Sequence, residues 1–117
     1  MDKKLKIGVL GAGYLGKIHL SLLKESKHFD LVGFYDTKTQ IAAKISKEFG
    51  YQSFSDINQL LQAVDVVDIV TPTLTHFELA KKALQNGLHV FLEKPITATV
   101  EDANELVSLA KSKGLLG

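Results

Sequence analysis

The sequence predicts an α/β domain: a doubly wound parallel sheet in three layers, with helices packed on both faces. Two observations predict it. Short apolar runs alternate with longer amphipathic stretches along the whole chain. The runs are apolar on both faces, as strands covered from both sides must be. Right-handed crossovers then wind such units into a doubly wound sheet.

Leu5 to Leu10 reads as the first strand, stopped by glycines, and Leu15, Ile18, Leu22 and Leu23 follow with helical spacing. Leu31 to Tyr35 is a second strand, closed by Asp36. Ile41, Ile45 and Phe49 recur every four residues, and Gly50 suits the end of that helix. Tyr51 to Phe54 is a short, weak strand. Ile57, Leu60, Leu61 and Val64 form a small helix opened by Ser55 or Asp56. Val66 to Val70 is a β-branched strand ended by Thr71-Pro72, where proline cannot continue the ladder. Thr75 and Glu78 have the spacing of a capping box, opening a helix that buries Leu79, Ala83 and Leu84 and stops near Asn86-Gly87. Leu88 to Leu92 is the fifth strand. Thr99 caps a last helix with Val100, Ala103, Leu106, Val107 and Ala110 on one face, ended by Lys113-Gly114.

The 117 residues suit one domain, and 45% apolar with 23% charged residues is ordinary globular usage. Fourteen basic residues against 13 acidic leave a net charge of +1, so no electrostatic footprint for nucleic acid or an anionic membrane follows. Absent cysteine excludes disulfides, thiol nucleophiles and thiolate metal sites, and fits a reducing, cytoplasmic setting. No apolar run approaches the ~20 residues of a membrane span. The basic start leads into Gly11-Ala12-Gly13-Tyr14 instead of a small-x-small cleavage site, and so reads as a buried strand and not a signal peptide. No metal-ligand spacing and no Ser-His-Asp arrangement is present.

Gly11-Ala12-Gly13-Tyr14-Leu15-Gly16 is G-x-G-x-x-G, placed after a strand and opening a helix. Gly11 permits the tight turn, Gly13 lets backbone approach a pyrophosphate, and Gly16 lets the helix pack on the strand. Phosphates would meet free N–H groups at the helix N-terminus. Asp36 lies about 20 residues beyond the last glycine, where a carboxylate accepts ribose hydroxyls and repels a 2′-phosphate. The pattern therefore predicts a Rossmann-type dinucleotide site, with NAD preferred. NADP is possible if Lys38 turns toward a phosphate. The plainer reading is a glycine-rich turn with Asp36 as a helix cap.

Glu93-Lys94-Pro95 follows the fifth strand at the carboxyl edge, where ligands bind in open α/β sheets. Lys94 there is a candidate for acid–base work or for holding a substrate hydroxyl or the nicotinamide ribose, or else a solvated turn lysine. Thr71-Pro72-Thr73 closes a strand at the same edge and either lines the cleft or only enters a helix. His76 touches a ligand phosphate or packs. His19 is expected to pack against the sheet, and Asp68 to be hydrogen-bonded or near the sheet surface. His28 and His89 belong to no constellation.

Together these segments resemble the N-terminal domain of the Gfo/Idh/MocA family of oxidoreductases (glucose–fructose oxidoreductase, inositol dehydrogenase and rhizopine-catabolism enzymes). The residues that carry the resemblance are Gly11 to His19, Asp36, Val67-Asp68-Ile69-Val70-Thr71-Pro72-Thr73 with His76, and Gly87-Leu88-His89-Val90-Phe91-Leu92-Glu93-Lys94-Pro95. The similarity covers nearly the whole chain, and Glu-Lys-Pro is its most specific mark. It implies that Gly11 to Gly16 binds the pyrophosphate, Asp36 the adenosine ribose and Thr71 to Thr73 the nicotinamide half. It implies further that Lys94 contacts substrate and nicotinamide, with a cis bond often preceding Pro95. Members interconvert a carbonyl and a hydroxyl on sugars, cyclitols or related molecules with NAD(H) or NADP(H).

By the same resemblance a second α/β domain supplies most substrate contacts and the oligomer interface. Residues 1–117 thus read as the dinucleotide-binding domain only, truncated before the substrate domain, and binding without turnover is expected. The strand from Leu88 to Leu92 would then be an open edge that favours a homo-oligomer, and a monomer in concentrated sedimentation would rule this out. Two competing readings are a non-catalytic, regulatory nucleotide-binding module and an S-adenosylmethionine methyltransferase. Gly16 and the lysine–proline turn disfavour the second.

Overall fold

The computed structural model describes residues 4–93 and 97–115. Its elements run β1 (Leu5–Leu10), α1 (Tyr14–Lys24), β2 (Phe29–Tyr35), α2 (Thr39–Phe49), α3 (Ile57–Ala63), β3 (Val66–Ile69), a 3-10 turn (Thr73–Thr75), α4 (His76–Gln85), β4 (His89–Leu92) and α5 (Val100–Ser112). The sheet has strand order β2-β1-β3-β4, and every pairing is parallel. Chain direction across the sheet reverses at β1, so a crevice opens between the carboxyl ends of β1 and β3, where open α/β sheets bind ligands.

Two cores sandwich the sheet. On one side Val9 and Phe34 pack with Leu20 of α1 and with Ala42 and Ile45 of α2. On the other, Leu10, Val67, Ile69 and Val90 meet Leu60 and Leu61 of α3, Ala80, Ala83 and Leu84 of α4, and Leu106 and Ala110 of α5. This is the expected three-layer arrangement. Fully burying a side chain such as Phe34 contributes roughly 1.5–3 kcal/mol.

The strand expected over Tyr51–Phe54 shrinks to a single parallel bridge between Phe34 and Ser53. Two bonds hold it: Phe34 N–H donates to the Gln52 carbonyl and Phe54 N–H to the Phe34 carbonyl, both at 2.9 Å. The segment is too short to extend the ladder past β2, so Leu88–Leu92 supplies the fourth strand and not a fifth.

The buried face of α1 also differs from expectation. Gly16 and Leu20 face the sheet with half-buried Leu23, while Leu15, Ile18 and Leu22 point outward, Leu22 being 66% exposed. The reason is Gly16. A Cβ there would fall onto the Gly11 carbonyl, so this glycine must be the residue turned toward the loop. Its orientation fixes the rest of the helix through 3.6-residue periodicity.

Helix ends follow side-chain chemistry in three cases. Asp56 caps α3 by accepting from Asn58 N–H at 2.9 Å, and Thr99 caps α5 by accepting from Asp102 N–H at 3.1 Å. Gly50 ends α2 in the left-handed region, with φ of 78°. The capping box expected at Thr75 and Glu78 does not form. Thr75 has helical backbone angles, and its hydroxyl lies 2.6 Å from both Thr71 Oγ1 and the Pro72 carbonyl. An N-cap needs extended backbone to aim its oxygen at the first turn. In α4, Ala80 takes the buried place expected of Leu79, and in α5 Val100 and Val107 are exposed because only Leu106 and Ala110 face the core.

Candidate functional site

The carboxyl end of β1 runs directly into the glycine loop. Gly11 N–H donates to the Tyr35 carbonyl at 2.8 Å, which ties the loop to the end of β2. Gly11 has φ of 102°, a left-handed conformation that side chains resist, and a Cβ there would lie 2.8 Å from the Val70 carbonyl oxygen. Gly13 is different in kind. Its backbone is extended, and a Cβ would meet nothing within 4 Å. The space over Gly13 is open, which is the arrangement required for an anion to approach backbone closely.

Helix α1 starts immediately beyond. Its first intrahelical bond joins Lys17 N–H to the Gly13 carbonyl at 2.9 Å, so the amides of Tyr14, Leu15 and Gly16 precede the ladder. The first turn carries no acidic side chain. The positive end of the helix dipole therefore faces the loop without a resident counter-charge.

Asp36 stands across the loop at the end of β2. One carboxylate oxygen accepts from Ala12 N–H at 2.7 Å, the other from Lys38 N–H at 2.8 Å. Two bonds orient the group, while a carboxylate has about four acceptor positions. Both oxygens keep capacity for a pair of neighbouring hydroxyls.

These residues line a cleft of about 420 Å³. Gly11, Gly13, Asp36, Lys38, Thr71 and Pro72 share it, with Val70, Thr75, Ile41, Ile57 and Leu79 forming apolar and hydroxyl walls. Thr73 is half-buried in the 3-10 turn and lies outside this lining. His76 is buried, and its Nε2 lies 2.9 Å from the Thr71 carbonyl, supporting the turn from beneath. Tyr14 and Leu15 are exposed at the loop's outer side. By helical spacing alone the apolar wall residues Ile41, Ile57 and Leu79 are core positions. Helical spacing reports an apolar face without saying whether protein or ligand covers it.

Glu93 falls in a neighbouring hollow at the end of β4, with His19, Asp68 and Phe91. Lys94 and Pro95 lie outside the described residues. Asp68 sits in β3 between Val9 and Phe91, only 7% exposed, and its Oδ2 is 2.6 Å from Nδ1 of His19. Burial pushes this carboxyl above its usual range; the His19 hydrogen bond and charge pull it back, and Glu93 adds a smaller upward push. Because the folded state holds this proton more tightly than the unfolded chain, the contribution of Asp68 to stability rises on acidification toward its ordinary range and is lost as pH rises through the folded value. Asp68→Asn removes that dependence. The stability of the variant relative to the parent, read by thermal melting between pH 7 and pH 4, is expected to fall steadily as pH is lowered; a flat difference would contradict the assignment.

An apolar hollow of about 280 Å³ lies elsewhere, between α4, α5 and β4, lined by Ala80, Leu84, Leu106 and Val107 among others. It has no glycine loop and no carboxylate. Among the described residues no group of acids and histidines is arranged to hold a metal ion, and no helix is long and apolar enough to cross a membrane.

Comparison with known proteins matches this geometry. Residues 5–116 fit the model of an oxidoreductase family with an NAD-binding Rossmann fold. The chain is 38% identical over 112 residues to UDP-N-acetylglucosamine 3-dehydrogenase of Acidithiobacillus ferrooxidans, a match covering 96% of this chain and 35% of that enzyme. A solved structure of that enzyme superposes with a TM-score of 0.88 at 37% identity, over 97% of this chain and 37% of the other. Biliverdin reductase from Synechocystis sp. PCC 6803, solved with biliverdin and NADP+, superposes with a TM-score of 0.88 at 30% identity, over 96% and 36% of the two chains. The scyllo-inositol 2-dehydrogenase (NAD(+)) of Bacillus subtilis is 32% identical over 120 residues, covering 99% of this chain and 35% of the enzyme. The chain thus spans about a third of the length of the curated relatives it matches. Strand order, glycine loop and family match agree, and the chain belongs to the Gfo/Idh/MocA oxidoreductases as an NAD-binding Rossmann domain.

Proposed function

We propose that this chain is the cofactor-binding half of an oxidoreductase that interconverts a carbonyl and a hydroxyl on a sugar, cyclitol or similar polyhydroxylated molecule. The observation that carries the reading is Asp36, fixed by two backbone N–H groups across the cleft from the open space at Gly13. In this reading the amides from Gly13 to Gly16 face the pyrophosphate, and Asp36, held by the Ala12 amide, takes the adenosine ribose. Ile41 and Leu79 cover the adenine, while Thr71, Pro72 and Thr73 run beside the nicotinamide half. His76 acts through the Thr71 carbonyl. Lys94, introduced by Glu93 and followed by Pro95, is the proposed catalytic residue. The dinucleotide supplies hydride transfer when bound; the residues of this chain hold it in place.

A fixed negative charge at Asp36 favours NAD over NADP, since a 2′-phosphate would face it directly. Substrate must sit about 3–3.5 Å from the reacting carbon, and in this reading further chain supplies that contact, so the isolated chain binds without turnover. We place the protein in the cytoplasm and expect a homo-oligomer, supported by the outward face of β4, where Phe91 is 47% exposed. Calorimetric titration with NADH and NADPH tests the reading. Saturable NADH binding, tighter than NADPH, is expected. Tighter NADPH would transfer the ribose role to Lys38, and no binding of either would overturn the proposal.

A further inference from the structure

His19 joins two acids that belong to different strands. Its Nδ1 is 2.6 Å from Asp68 in β3, and its Nε2 is 3.5 Å from Oε1 of Glu93, the residue that follows β4. The ring is mostly covered, with 19% of its side chain exposed, whereas Glu93 is 57% exposed. Asp68 and Glu93 are thus anchor and load. The buried acid is locked into the sheet between Val9 and Phe91, and the exposed one reaches back to the ring.

Nδ1 faces the buried acid and Nε2 the exposed one, so a single ring on α1 stands between β3 and the residue that follows β4. His19 lies one turn beyond Gly16, on the helix whose first turn faces the cleft.

From this geometry we propose that His19 is a positioning residue: anchored by Asp68, it holds Glu93 against α1 and so registers the carboxyl end of β4 to the cofactor helix. The proposal rests on the cofactor reading above. It also has a spatial logic of its own. Asp36 ends β2 on one side of β1, while Glu93 ends β4 on the other. A dinucleotide with its adenosine at Asp36 crosses β1 and brings its far end toward β3 and β4, so His19 and Glu93 bear on the nicotinamide half alone.

ADP-ribose and NADH differ in that half and separate the claims. Both are titrated into the chain and into His19→Asn, Glu93→Gln and the double variant. Asparagine keeps an amide near the Nδ1 position, so Asp68 retains a partner while Glu93 loses its own. ADP-ribose affinity is expected to stay within about twofold throughout. The advantage of NADH over ADP-ribose is expected to fall at least about fivefold in each single variant, and no further in the double variant, as coupled residues require. An unchanged NADH advantage in the single variants, or additive losses, would overturn the inference and leave the cofactor reading intact. Equal binding of NADH and ADP-ribose by the parent would do the same. Failure of the parent to bind ADP-ribose would instead overturn the cofactor reading and this inference with it. If His19→Asn melts early, the exposed Glu93→Gln decides alone: loss of the NADH advantage supports the inference and its retention rejects it.

Discussion

Asp36→Ala is expected to weaken NADH binding at least about tenfold, the loss corresponding to hydrogen bonds with a charged acceptor at roughly 1.5–3 kcal/mol. The carboxylate is held at both oxygens, by Ala12 N–H at 2.7 Å and Lys38 N–H at 2.8 Å, so it meets a ribose already oriented. Alanine removes the acceptors and the charge together. Affinity for NADPH should fall less, because the charge that opposes a 2′-phosphate leaves as well. The two backbone amides lose their acceptor, yet both can turn to water at the open cleft, which keeps the cost in folding near that of a lost cap, ~1 kcal/mol. Calorimetry with both dinucleotides, next to a melting curve, separates the two effects. Unchanged NADH affinity in a folded variant would show that Asp36 is only a turn residue.

Gly13 and Gly16 sit three residues apart in one motif, and their replacement should fail in opposite ways. Gly13→Val places its side chain in open space on extended backbone that any residue adopts. Folding should be unaffected, while the methyls occupy the approach to the loop and NADH binding falls at least about tenfold. Gly16→Ala drives a Cβ into the Gly11 carbonyl, a backbone atom that cannot swing aside. Overpacking of this kind costs about 1–3 kcal/mol, and each kcal/mol lowers the melting temperature of a small domain by about 4–8 °C. Paired melting and binding curves therefore distinguish a glycine kept for the ligand from one kept for the fold. A Gly13→Val variant that binds NADH normally would contradict the placement of the pyrophosphate.

Much of this architecture is legible in the amino-acid order, and the reasons differ by element. Val66–Ile69 is readable as a strand because all four of its residues are buried, Asp68 through its bond to His19, whereas in His89–Leu92 only Val90 is fully covered; the glycine loop is readable because only glycine suits Gly11 and Gly16. Asp56, Thr99 and Gly50 cap their helices as local chemistry requires. The orientation of α1 was not readable. Leu15, Ile18 and Leu22 offer a better apolar stripe than Gly16 and Leu20, yet the close contact at Gly16 decides which face turns inward. Thr75 has the right partner for a capping box, but the 3-10 turn ahead of it sets a backbone that cannot use it. Ile41 and Leu79 carry no mark that separates a ligand wall from a core. The His19–Asp68–Glu93 arrangement spans three separate elements, and only the sheet register brings it together.

The central claim is that a dinucleotide lies across the carboxyl edge of this sheet, from Asp36 over the glycine loop to Thr71. Amide chemical-shift mapping of the isotopically labelled chain during NADH titration tests it most directly. The largest shifts are expected at Gly11 to Gly16, at Asp36 and Lys38, and at Thr71 and Thr73, with the amides of α5 still. Shifts centred instead on the apolar hollow at Ala80, Leu84 and Leu106, or none at saturating NADH, would contradict it.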